Sequence, residues 1–265
     1  MKFFISFEGM SIRMNVPVPA INDFERFLNL WRKLYVLDDA FYHKAISELT
    51  LNVDPKIACS LLIRFLELWG VRGASTRISP VELSQKISDL KPMLKKMNIS
   101  ILDGKFDKMK DEIVEAFKEI RSVKNVCPTS ASRILHLLRP KLFVMWDAEV
   151  AREYEVKMSP EGYLDFLEKC QFMLGWILDE YRRSGISDPE SHLLNKYGKP
   201  LTKLLDEYNR LYIRRWISPT TPCLMHFIRR RGALGAPSQP GSLRGSPTWR
   251  RALDELWRRM KFIRA

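Results

Sequence analysis

With 265 residues and 46% hydrophobic content, the chain is long enough to bury a sizeable core, as one large domain or two small ones. No apolar run approaches the roughly 18 residues of a membrane span, and the N-terminus lacks the basic-then-apolar pattern of a signal peptide; a cytoplasmic protein without a membrane partner is expected. The net charge of +13 is unevenly spread, because residues 1–209 hold 31 Lys+Arg against 29 Asp+Glu while residues 210–265 hold 13 against 2.

Along the chain, Lys2–Glu8 and Met10–Val16 alternate in polarity around Gly9, as in a short β-hairpin. After Pro19 the pattern becomes helical. Asn22 or Asp23 starts a helix through Tyr35, with Phe24, Phe27, Leu28, Trp31 and Leu34 on one face. Asp38–Leu49 reads as a second helix, and a third starts at Asp54-Pro55 and ends at Trp69-Gly70. Asp54-Pro55, Ser79-Pro80, Ser159-Pro160 and Asp188-Pro189 all read as a capping residue followed by proline at the first helical position, where the missing N–H costs nothing. Ser79 and Glu82 have capping-box spacing. Further helices are predicted at Lys105–Ser122, Pro128–Leu138, Ala148–Tyr154, Glu161–Arg183 and Leu201–Trp216. No repeat of 20–50 residues is present, which excludes a solenoid. The fold class expected is all-α with a short N-terminal β-hairpin.

Cys59, Cys127, Cys170 and Cys223 are widely spaced and form no CxxC pair, so no metal site, disulfide framework, iron–sulfur cluster or other cofactor is expected. His43, His192 and His226 lack metal-ligand spacing. Basic residues switch from mostly Lys to mostly Arg near residue 210, and Gly232–Pro247 is rich in Gly, Pro and Ser like a linker. Two readings of this tail stand side by side: a basic arm that binds phosphate backbones by counterion release, or a C-terminus without a selected role.

The densest signal is Ile120–Val150. Ile120 and Val123 end one apolar face and Pro128 opens the next helix, leaving only a tight reversal between them. A helix N-terminus of this kind offers free backbone N–H groups, around Thr129 and Ser130, to an anion, and Lys124 adds a cation beside it. The heptapeptide Asn125-Val126-Cys127-Pro128-Thr129-Ser130-Ala131 resembles the hairpin of the helix–hairpin–helix DNA glycosylase superfamily, Gly-Val-Gly-x-Lys-Thr-Ala. The essential Asp of that superfamily lies 18 residues beyond its Lys position, and the same count from Thr129 reaches Asp147, preceded by the apolar run Phe143–Trp146. The resemblance covers about 31 of the 265 residues.

It implies a helical glycosylase-like domain that binds duplex DNA through Lys124, Asn125, Val126, Cys127, Pro128 and Ser130, with Asp147 as the catalytic carboxylate. Asp147 would stabilise the oxocarbenium-like state formed as a flipped base departs, and would orient water. Thr129 occupies the position of the amine nucleophile, so no Schiff base and no β-lyase step are implied; hydroxyl residues occur there in monofunctional members. Both hairpin glycines are replaced, by Asn125 and Cys127. Asn tolerates positive φ, whereas Cys does so at a steric cost, so Cys127→Gly is expected to be neutral or stabilising if the turn needs a left-handed residue there. The local reading of Asp147 is simpler, the N-cap of the helix at Ala148, and one side chain can serve both roles.

Other residues carry bland readings beside functional ones. His136 reads as a hydrogen-bonded core or boundary histidine. Trp69 reads as a buried residue at a helix C-terminus, or as a stacking platform. Tyr163, Phe166, Phe172, Met173 and Trp176 read as core, or as a cleft lining. The organisation expected is residues 1–18 as a β element, 19–216 as a helical glycosylase-like domain, and 217–265 as a basic tail. The function expected is base-excision repair by a monomeric, monofunctional DNA N-glycosylase. The alternatives are a non-catalytic helix–hairpin–helix module and a helical protein-interaction domain.

Overall fold

A computed structural model of the protein describes residues 3–7, 10–49 and 53–217. The basic tail expected over 217–265 lies outside the described residues except for its first position. Two strands, β1 (Phe3–Phe7) and β2 (Met10–Met14), pair antiparallel with Phe3 opposite Met14 and Ile5 opposite Ile12. Eleven α-helices follow among the described residues.

The N-terminal group is α1 (Ile21–Leu34), α2 (Val36–Glu48), α3 (Pro55–Leu68), α4 (Ala74–Arg77) and α5 (Pro80–Lys96). Then come α6 (Lys110–Ser122), α7 (Pro128–Leu138), α8 (Ala148–Glu153), α9 (Pro160–Arg183), α10 (Pro189–Tyr197) and α11 (Leu201–Ile217). The expected Lys105–Ser122 helix opens instead as a separate 3-10 turn at Phe106–Met109 before α6. Helix α4 is too short for periodicity to reveal.

The four Pro-initiated helices start where cap chemistry places them. Asp54 accepts from the Lys56 N–H, Ser79 from Glu82, Ser159 from Gly162, and Asp188 from Ser191. Each such cap contributes about 1 kcal/mol by pairing a donor that has no intrahelical acceptor. The Ser79–Glu82 box closes only halfway, because the Glu82 carboxylate reaches across to the Lys124 backbone N–H at 2.9 Å. That bond ties α5 to the turn after α6.

Helix α3 packs on α2, α4 and α5; α6 packs on α5, α7 and α9; and α11 packs on α1, α8, α9 and α10. The first and last helices of the domain therefore lie together. Between α7 and α8 runs the segment Leu142–Trp146, fully buried yet in neither helix nor strand. Its rings and those of α6 and α9 form one aromatic cluster: Phe117 and Tyr163 stack at 4.4 Å between centroids, Trp146 lies 4.9 Å from Tyr163, and Trp146 lies 5.5 Å from Phe166. Of the aromatic stripe on α9, Tyr163, Phe166 and Met173 are core, while Phe172 and Trp176 are half-buried.

Gly162 is needed for a close approach. In the first turn of α9, a Cβ there would sit 2.0 Å from the Lys157 carbonyl oxygen, which is backbone and cannot step aside. Gly175, in the middle of the same helix, has open space around it. Gly162→Ala is expected to destabilise the protein by about 2–3 kcal/mol through overpacking. Gly175→Ala should stabilise it by about 0.5–1 kcal/mol through helix propensity. Denaturant unfolding of the two variants reads both, and a neutral Gly162→Ala would mean the loop before α9 yields.

Candidate functional site

The reversal between α6 and α7 is built on two buried valines, Val123 and Val126, which hold the helix pair together from within. The Val126 N–H donates to the Val123 carbonyl at 3.1 Å, and the Arg121 guanidinium donates to the Val126 carbonyl. Asn125 adopts the left-handed conformation, φ 65°, at the position of the first hairpin glycine. Cys127 does not: its φ of −83° and ψ of 166° are ordinary extended values. The expected steric cost at Cys127 is therefore absent, because the turn completes its left-handed step two residues earlier.

Cys127 leads into α7 without providing a side-chain cap; its Sγ lies 3.2 Å from the Ser130 hydroxyl. Pro128 has no N–H to offer, so the donors of this first turn belong to Thr129 and Ser130. Lys124, Asn125 and Cys127 are exposed, Pro128 and Thr129 half-buried, and Val126 and Ser130 buried. Part of the turn is already committed within the fold: the Lys124 N–H donates to Glu82, and the Asn125 side-chain amide donates to the Arg77 carbonyl at 2.7 Å.

Asp147 caps α8 as read from the sequence. Its Oδ1 accepts from the Glu149 and Val150 N–H groups at 3.1 and 3.0 Å, and its side chain is half-buried. Its second oxygen makes no hydrogen bond among the described residues. The preceding residue is fastened to the start of α7: the Ser132 hydroxyl lies 3.2 Å from the Trp146 N–H and 3.4 Å from its carbonyl, and the Trp146 indole donates to the Pro128 carbonyl at 3.2 Å. The carboxylate thus sits beside the first turns of α7, next to the hairpin.

His136, two turns into α7, is fully buried. Its Nδ1 donates to the Phe143 carbonyl at 2.6 Å, since that oxygen can only accept, and its Nε2 accepts from the Tyr42 hydroxyl at 2.9 Å. It is a satisfied core histidine, as expected. Trp69 ends α3 and is buried, also as expected.

Helix α11 carries what the sequence does not advertise. Lys203 pairs with Asp206 at 3.1 Å and Glu207 at 2.9 Å, Lys199 with Glu207 at 2.8 Å and Asp39 at 2.6 Å, and Arg210 with Asp206 at 2.8 Å. Apart from partly covered Asp39, each of these side chains is buried. The Lys203 ammonium also lies 4.5 Å from the Trp69 ring centroid and 4.6 Å from that of Trp31, and Arg210 lies 5.0 Å from Trp69. In the sequence, i,i+3 and i,i+4 charge pairs of this kind look like an ordinary solvated helix face. Leu201, Leu204, Leu205, Tyr208, Leu211 and Ile213 mark a packed side, and nothing in the sequence marks the charged side as packed too.

Arg133 was equally hidden. It is buried on α7, and its Nε has no acceptor. Burial, and next the nearby Arg210 cation, pull its pKa down to about 9, against the opposing pull of Asp206 and Asp147. Burial pushes Asp206 upward, but Arg210 and Lys203 hold it below the usual carboxylate range, whereas burial outweighs the lysines at Glu207 and raises it. Among the described residues no three metal-ligating side chains converge, and no helix is long and apolar enough to cross a membrane. No protein-family model, no curated protein and no solved structure matches the chain.

Two measurements follow from this geometry. With Cys127 extended, Cys127→Gly should cost about 0.5–1 kcal/mol by loosening the unfolded chain, while Asn125→Ala should cost about 1–2 kcal/mol, losing both the left-handed preference and the Arg77 contact. Equal effects at the two positions would contradict the assigned conformations. Burial lowers the pKa of His136 to about 4, so it must charge on unfolding in acid. Its contribution to stability is complete above the unfolded value near 6.5 and is lost as pH falls through that window towards 4, by about 3 kcal/mol. Unfolding titrations over this range should show the slope in the native protein, and His136→Gln should flatten it.

Proposed function

We propose that the chain is a duplex-DNA-binding domain of the helix–hairpin–helix type, and that it acts as a monofunctional DNA N-glycosylase in base-excision repair. The observation that carries this reading is the fastening of Trp146 to the first turns of α7, which sets the half-buried Asp147 beside the hairpin. A phosphate held at the start of α7 would bring the sugar of a neighbouring nucleotide towards that carboxylate. The left-handed Asn125 at a glycine position of the resembled motif supports the same reading.

In this mechanism the amides of Glu149 and Val150 fix Asp147 Oδ1, leaving Oδ2 for the reaction. Its negative charge stabilises the sugar cation as the glycosidic bond breaks and the base departs with the bonding pair. Water, oriented by the same oxygen, then adds to the anomeric carbon, and the proton it sheds neutralises the departed base. Thr129 offers no amine, so the product is an abasic site with the strand intact. The backbone grip falls to the Thr129 amide, with Lys124 as an exposed cation nearby; Ser130, expected to share it, is fully buried and with Val126 and Pro128 shapes the turn.

A second reading has its own support. Glu82 and Arg77 already hold the Lys124 N–H and the Asn125 side chain, and Glu82 places a carboxylate where a phosphate would approach. A helical interaction domain that uses the hairpin only for its own packing needs no more than this.

Affinity for duplex DNA should fall steeply with salt and show little sequence preference. Lys124→Glu should reduce the slope of log affinity against log salt by about 1. On a damaged or mismatched duplex, Asp147→Asn should lower base release by about 100-fold or more with binding nearly unchanged, because the amide keeps the cap and loses the charge. Strand cleavage should appear only after alkali. Covalent trapping by borohydride would show an amine nucleophile and remove the hydrolytic mechanism, and a salt-insensitive protein inert on every lesion would leave the interaction-domain reading.

A further inference from the structure

Two helices end together at the far end of α7 from the hairpin. Helix α5 closes on Lys95 and Lys96, and α7 closes on Leu138, with Arg139 and Lys141 just after it. Hydrogen bonds hold the two ends to each other: the Arg139 guanidinium donates to the Leu94 carbonyl, and the Ile101 N–H donates to the Lys141 carbonyl at 2.9 Å. Tight turns after Ile101 keep Lys105 beside them. Lys95, Lys96, Lys105 and Lys141 are exposed, and among the described residues no carboxylate lies in ion-pair range of their ammoniums. Exposed lysines elsewhere, such as Lys44 and Lys118, have such a partner. Residues 91–105 and 139–141 hold 6 Lys+Arg against 1 Asp+Glu, whereas the rest of residues 1–209 holds 25 against 28. Lys95 and Lys96 offset the negative end of the α5 dipole, but Lys105 and Lys141 belong to other segments and have no such task.

What else this surface offers decides which polyanion it takes. Met93 and Leu102, both half-buried, adjoin the lysines and present apolar area. The last carbonyls of α5 also end here. The Met97 N–H takes that of Met93 and Arg139 takes that of Leu94, which leaves those of Lys95 and Lys96 without an intrahelical donor. A phosphate backbone brings acceptors alone, so it would pair with the lysines and leave the carbonyls and the apolar area unused. An acidic peptide matches all three features: carboxylates meet ammoniums, backbone N–H groups meet the carbonyls, and apolar side chains meet Met93 and Leu102. We propose that the surface formed by the ends of α5 and α7, at Lys95, Lys96, Lys105 and Lys141, docks an extended acidic segment, with interspersed apolar residues, of a partner protein. The 11 residues of α7 set this surface about 16 Å from the hairpin, so the two can be occupied together. The inference stands whichever reading of the hairpin holds.

The test adds the full chain to a short fluorescein-labelled peptide of Glu and Asp with interspersed Leu, and follows anisotropy. The expected result is saturable, salt-sensitive binding. Lys95→Glu, Lys96→Glu and Lys141→Glu combined should weaken it about tenfold at low salt, and the loss should shrink as salt rises. The three side chains are exposed, so this variant should melt with the native protein. The matching Lys→Gln variant should show a smaller loss of the same sign. Lys124→Glu, at the hairpin, should leave peptide affinity unchanged. A peptide with Ser in place of Leu should bind several-fold more weakly. Absence of saturable binding would overturn the proposal. So would peptide affinity that survives the three lysine changes and is lost when Arg229, Arg230 and Arg231 are changed to Glu, since the basic tail would then be the contact. Equal affinity for the Leu and Ser peptides would also overturn it. A lysine variant that loses duplex DNA as strongly as peptide would do the same, and would mark a surface for phosphate chains instead.

Discussion

The site depends on how the chain buries Leu142–Trp146 without a helix or a strand to satisfy its backbone. An unpaired backbone group in the interior costs as much as a lost hydrogen bond, so a dry apolar strap needs partners from elsewhere. Side chains from α7 and α9 provide them: His136 for the Phe143 carbonyl, Tyr163 for that of Val144, and Ser132 for Trp146. Tyr163 also stacks in the aromatic cluster that surrounds the strap, so packing and hydrogen bonding select the same path. The strap ends at Asp147, and its rigidity becomes the positional precision of the carboxylate. The same path makes His136 a pH-sensitive element, because full burial opposes its charged form.

A second constraint is electrostatic. Helix α11 and Lys199 just before it bring two lysines, an arginine and carboxylates into the interior, and such groups stabilise a fold only when geometry and further hydrogen bonds offset their desolvation. Here the pairs are short and interlocked, Lys203 bridging Asp206 and Glu207 while aromatic faces of Trp31 and Trp69 take up the rest of its charge. Removing one member leaves a buried charge behind, so the cluster behaves as a unit. The cluster joins Asp39 of α2 to Lys199 and α11, while Glu82 of α5 separately ties the hairpin to the N-terminal helices. Asp147, fastened through Trp146 to the start of α7, lies within electrostatic reach of Arg210 of that cluster, although the two are far apart in the sequence.

Much of the fold was legible because local chemistry and burial agree. The Asp-Pro and Ser-Pro starts of α3, α5, α9 and α10, the α7 boundaries and the Asp147 cap follow from rules that act within a few residues. The second glycine position of the motif does not carry its conformation over to Cys127: of the two positions only Asn125 takes the left-handed step. Residues 105–109 were read as part of α6, since a 3-10 turn shares much of the helical pattern. The α11 charges and Arg133 could not be read, because a charged residue declares its burial only through partners such as Asp39 and Trp69, which are distant in sequence. The Asp147 site was therefore visible on its hairpin side and invisible on its α11 side.

The contact between α1 and α11 joins residues 21–34 to residues 201–217. Contacts so distant in sequence slow folding, because the loop between them must close before they form. Until α11 arrives, Trp31 and Trp69 have no ammonium against their faces and Asp39 has no Lys199. A chain emerging from the ribosome carries those aromatic faces uncovered for most of its synthesis. The charges on α11 serve that interval well. They keep α11 hydrated until a complementary surface exists to receive them.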